Sequence, residues 1–140
     1  MNWRLIFQLS LFGLAMGLAT VFFVPSTIEP FLWLVIFIIS AYLIATRAGG
    51  SYFLHGLMVG IGNSIWITAV HVALFQAYAD RHAQEIAMSA SMGLRTHPRL
   101  MMALTGPIIG IISGIVIGLL SLLASRFVKR RGTPAPVTPA

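Results

Sequence analysis

Four long apolar stretches, at residues 5–24, 31–46, 52–78 and 100–127, fill most of this 140-residue chain. The hydrocarbon core of a bilayer is about 30 Å thick and takes about 20 apolar residues per helix. The stretches therefore predict an all-α protein, a four-helix transmembrane bundle forming one domain over residues 1–131. Charged residues make up only 9% of the chain. Soluble domains carry about 25%, so this set has too few charges to build a water-facing surface. The second stretch makes only about 24 Å of helix. It must draw in Ile28 and Glu29, thin the bilayer, or stand with little tilt. As bounded, none of the four stretches holds an acidic residue. That removes the intramembrane carboxylate that would point to proton or cation coupling.

A cleaved signal peptide is the competitor for residues 5–24. The run is too long for an ordinary signal core, only Arg4 precedes it, and Ala15, Gly17 and Ala19 lie inside it rather than after it. With four spans, Arg4, Arg47, Arg126, Lys129, Arg130 and Arg131 share one side, against Arg81, Arg95 and Arg99 on the other. The positive-inside bias then places both termini of a multi-pass membrane protein in the cytoplasm. The net charge of +6 sits at span ends. There it fixes topology and meets headgroups, and no basic soluble face points to nucleic acid. Arg126 to Arg131 would contact anionic lipid, and the proline-rich tail at residues 132–140 reads as disordered.

The absence of cysteine closes off thiol oxidoreductases, disulfides and cysteine-ligated metals. Small residues recur every four positions: Gly13 and Gly17, Gly56 and Gly60, then Gly106, Gly110, Gly114 and Gly118. Such faces let helices approach closely, either within a tight bundle or against a second copy or another membrane protein. Pro107 removes the bond to the Ala103 carbonyl and predicts a kink.

The third stretch is the most polar, with His55, Asn63, Ser64, Thr68, His71 and Gln76. Asn63 lies about 16 Å in from Tyr52, and Ser64, Thr68 and His71 fall within about 60° of one another around the helix. These four are binding or pathway candidates, since polar groups at such depth face a bundle interior or a cavity. The plainer reading is that they bond a neighbouring helix. If the helix continues past Tyr78, then His71, Tyr78, His82 and Glu85 align on one face. His82, Glu85 and His97 are the candidate metal ligands, fewer and less regular than known zinc or di-iron patterns. The outer segment between spans three and four predicts a short amphipathic helix at residues 83–92, with Ile86, Met88 and Met92 toward lipid. Gly93 would end it, and Thr96, His97 and Pro98 would turn the chain into the last span. No catalytic constellation or phosphate loop is visible, and no cofactor is expected.

In its order of features the chain resembles a group of small bacterial inner-membrane proteins known only as a domain of unknown function. Those proteins have four spans, a Gly-Gly turn followed by an aromatic and a glycine, a polar outer loop, and a small-residue last span ending in basics. The matching residues are Gly49, Gly50, Phe53 and Gly56, the loop from Asp80, and the segment from Gly106 to Arg131. The resemblance covers nearly the whole chain and implies fold and location, but no activity. Small multidrug exporters are similar in size but use a first-span glutamate, which residues 5–24 lack. Fluoride channels share glycine-rich helices and an asparagine that Asn63 echoes, without their arginine and paired-phenylalanine motifs here. The expectation is a non-enzymatic membrane protein packing through glycine faces. The alternatives are an oligomeric transporter or channel lined by the polar face of span three, and a metal-dependent membrane enzyme.

Overall fold

The computed structural model of the protein describes residues 1–91 and 97–128. Met92, Gly93, Arg95, Thr96, Lys129, Arg130, Arg131 and the tail lie outside the described residues, with the expectations attached to them. The described chain is helical and contains no strand: α1 Trp3–Phe22, α2 Glu29–Arg47, α3 Tyr52–Ala73, α4 Phe75–Arg81, α5 Ala83–Ser91 and α6 Pro98–Phe127. Helices α1, α2, α3 and α6 are long and apolar enough to cross a membrane. Phe31, Ile38, Ile65, Ile108, Ile112 and Leu119 are all left exposed on them, an apolar surface far larger than a water-soluble monomer carries.

Local chemistry sets the helix ends. Asn2 caps α1 by accepting the Leu5 N–H at 3.1 Å, and its own N–H donates to His55 Nε2 at 2.8 Å. The His55 ring is oriented by Nδ1, 2.9 Å from the Ser51 carbonyl, so Nδ1 carries the proton. Helix α2 starts at Glu29 with Pro30 in its first turn, where the fixed φ of proline is favourable and its missing N–H costs nothing. The short second stretch thus gains Glu29, while Ile28 stays outside as the N-cap. An acidic residue therefore begins a membrane-length helix, just outside the apolar stretch at residues 31–46. The turn into α3 runs through Gly49 at φ 72°, Gly50 at φ 152° and Ser51 at φ 48°. Glycine is needed for the first two, since side chains rarely tolerate such angles.

The expected helix over residues 52–78 is in fact two. α3 ends at Ala73, Leu74 leaves helical geometry at φ −103° and ψ 33°, and α4 begins at Phe75. The ring centroids of His71 and Tyr78 lie 4.2 Å apart. Seven residues of unbroken helix would separate them by about 10.5 Å along the axis. The break at Leu74 is what lets these two rings meet. By contrast α6 continues as one helix through Pro107.

α3 is the central helix, with α1 on one side and α6 on the other. Along its α6 face Gly56 meets Gly118, Gly60 meets Gly114, Ser64 meets Gly110 and Thr68 meets Gly106. Along its α1 face Asn63 backs onto Gly13, and Ile67 and Val70 onto Gly17. The glycine face of α6 is thus occupied by α3 of the same chain. Backbone contact of this kind is how helices associate where lipid offers no hydrophobic drive. α2 packs chiefly against α6 and touches α1 and α3 little. At the end bearing the Gly49-Gly50 turn, all four helices close around Leu5, Ile6, Leu9, Ile44, Val59 and Ile117. At the opposite end they do not close.

Candidate functional site

That opposite end holds a cavity of about 880 Å³ between α2, α3 and α6. Residues four apart on α2, Glu29, Trp33 and Phe37, form one wall together with Leu34. Asn63, Ser64, Thr68 and His71 of α3 form the second, and Thr105, Ile109, Ser113 and Val116 of α6 belong to the third. Ser26, Tyr78, Glu85 and Ile86 sit over the mouth. The four polar residues singled out on the third stretch therefore share one cavity. Ile86 lines it too, rather than turning to lipid as the amphipathic pattern suggested, because α5 lies across the cavity mouth. Met88 of the same helix is exposed.

Two of the polar groups are tied to α1. The Asn63 side-chain carbonyl accepts the Gly13 N–H at 2.8 Å. Its amide nitrogen is buried without a partner, a donor whose burial costs about 1–3 kcal/mol if nothing accepts from it. His71 Nε2 lies 2.7 Å from Thr20 Oγ1. That hydroxyl already donates to the Met16 carbonyl at 2.9 Å, so it accepts from the imidazole. Ser64 spends its proton on the Ile61 carbonyl, one turn back in its own helix.

Over the mouth, rings and hydrogen bonds form a clasp. Tyr78 is sandwiched between His71 and His82, with the His82 centroid 4.3 Å away in a stacked arrangement. His82 is buried, and its Nε2 donates to the Thr20 carbonyl at 3.1 Å. Its Nδ1 faces Ser26 Oγ at 2.7 Å and Glu85 Oε1 at 3.2 Å. The Tyr78 hydroxyl donates to Glu85 Oε2 at 2.5 Å. Burial would push the Glu85 carboxyl up, but hydrogen bonds from Ser26, Tyr78 and His82 outweigh it and hold the group below its usual range. Burial, and then the bond to Glu85, push the Tyr78 phenol well above its usual range, so it remains a proton donor. The clasp joins the end of α1, the α1–α2 connection, α4 and α5.

The candidate metal ligands are not brought together. His82 and Glu85 pair, but His97 lies beside Phe75, Gln76 and Arg99 in a separate hollow. Among the described residues no three histidine, aspartate or glutamate side chains converge.

Glu29, Trp33 and Phe37 are among the lining residues that sequence reasoning missed. Trp33 Nε1 donates to Glu29 Oε1 at 3.1 Å, and the Trp33 and Phe37 rings lie 5.9 Å apart. The available signal was the shortness of the second stretch, which could reach membrane length only by taking in Glu29.

No known protein family, curated protein or solved structure matches this chain.

Proposed function

We infer that the protein is a multi-pass protein of the bacterial inner membrane that binds a small amphipathic molecule between α2, α3 and α6 and serves as a carrier or transporter for it. Both termini are cytoplasmic, and α5 covers the cavity on the outer side. The observation that carries this reading is the cavity itself. A ligand site is typically a cleft of about 300–1,000 Å³, mostly apolar, with a few convergent polar groups. Here apolar walls from Leu34, Ile109 and Val116 meet a polar end at Glu29, His71, Tyr78 and Glu85. The α6 glycine face is taken up by α3 of the same chain, so it offers no surface to a partner.

Filling the cavity tests the reading. Ser113 is half-buried in the α6 wall, and Ser113→Phe should leave the bundle intact while occupying the space. An environment-sensitive apolar dye should bind the native protein saturably and bind the variant at least about tenfold more weakly, the scale of losing one well-packed group. Equal saturable binding to both would overturn the site.

Orientation follows from Arg4, Arg47 and Arg126 at one end of the bundle and Arg81 and Arg99 at the other. The chain has no cysteine, so introduced thiols report cleanly. Thr27→Cys and Ser51→Cys both lie at exposed positions. An impermeant maleimide should label Thr27→Cys in intact cells and Ser51→Cys only after lysis. The opposite pattern would invert the topology.

A further inference from the structure

We propose that the preferred occupant of the cavity is an amphipathic organic cation, its charged head held at Glu29 and its apolar body lying between α2 and α6. The proposal rests on the preceding reading of the cavity as a ligand site, and it adds the sign of the ligand's charge. The chain carries nine lysines and arginines against three acidic residues. Two of those three, Glu29 and Glu85, line the cavity, and among the described residues no lysine or arginine does. In so basic a protein, that distribution makes the cavity mouth a local sink for positive charge.

The two carboxylates are not equivalent. Glu85 is bonded by Ser26, Tyr78 and His82, so its charge is shared with the clasp. Glu29 accepts from Trp33 through Oε1 alone, and no bond to its second oxygen is found among the described residues. It lies within electrostatic reach of Glu85 and of His82. Trp33 lines the same space, and π faces attract cations, more strongly where water is excluded. An indole and a half-buried carboxylate together suit an ammonium head, while an anionic head would meet two negative charges. Leu34, Ile109 and Val116 supply the apolar walls beyond the head.

The test uses the full chain in neutral-lipid nanodiscs, with Trp3→Phe and Trp66→Phe leaving Trp33 as the reporter. The probes are decyltrimethylammonium, decanol and decyl sulfonate, which share a tail and differ in charge. The ammonium should bind about tenfold more tightly than the alcohol, the scale of one partly buried charge pair, and the sulfonate more weakly than either. Glu29→Gln, which keeps an acceptor for Trp33, should reduce the ammonium to the level of the alcohol and leave the alcohol unchanged. Glu29→Asp should retain the preference, which separates charge from any effect on the fold. Ammonium and alcohol binding alike, with both displaced by Ser113→Phe, would overturn the cation proposal and leave the ligand site standing. Probes insensitive to Ser113→Phe would remove the site, and the proposal with it.

Discussion

A Gly60→Leu chain is expected to insert its helices but fail to pack them. A Cβ at Gly60 would come within 3.0 Å of the Gly114 Cα and N and of the Gly110 carbonyl oxygen. All three are backbone atoms, so no rotamer change can relieve the contact. Overpacking a tight site usually costs about 1–3 kcal/mol and sometimes more. Leucine adds three further carbons at a point where two helix backbones touch, so a loss of about 3 kcal/mol or more is expected. The damage would spread, because α6 also carries most of the contact with α2. Far-ultraviolet circular dichroism should change little, whereas the near-ultraviolet signal of the packed aromatics and the thermal midpoint in mild detergent should both fall. Gly60→Ala should show the same direction at smaller size. Native stability in Gly60→Ala would mean that α3 and α6 do not meet as closely as described.

The second large effect is expected from His82→Ala. The ring is almost wholly buried, with 1% of its side chain exposed, and it bonds the Thr20 carbonyl while facing Ser26 and Glu85. Truncation leaves a buried carbonyl and a carboxylate short of a donor. Each such loss costs about 1–3 kcal/mol, so a total of about 2–4 kcal/mol is expected. The loss should be local. Proteases and hydrogen exchange should find α4 and α5 opened while α1, α3 and α6 stay protected. Acid should act on the same clasp. The Glu85 carboxyl is held below its usual value of 4.5, so its contribution is complete above that pH and disappears as pH falls toward the lower folded value. Removing His82 removes one of the bonds that depress the group, so opening should begin at higher pH in the variant. Protection of residues 74–91 that is identical in both proteins and independent of pH would show that the clasp does not hold them.

The hydrophobic runs carried most of the fold, because membrane-length helices follow from length and apolarity alone. The glycine spacing marked the close-contact faces, but spacing cannot name the partner. Only the antiparallel register of α3 on α6 assigns Gly114 to Gly60 rather than to another chain. The stripe of Asn63, Ser64, Thr68 and His71 was legible from helical periodicity, since one face of one helix is a local property. The rest of the site was not, because it depends on α2 leaning on α6 and away from α3. Glu29 and Trp33 carry no pattern of their own. The break at Leu74 was also hidden: nothing at that residue opposes a helix, and the gain that favours the break lies in ring and hydrogen-bond contacts made by Tyr78 and His82.

The placement of α2 has a consequence for how the protein is made. Ribosomes deliver α2 second, yet the surface that holds it belongs mainly to α6, the last of the four long helices in chain order. Until α6 arrives, α1 can pair with α3 while α2 stays loosely tethered, with Trp33 and Phe37 turned toward lipid. Helices insert before they associate, so each newly made molecule passes through a stage with three helices in place and no cavity between α2, α3 and α6. Any factor that surveys membrane proteins during synthesis would meet that unfinished form first.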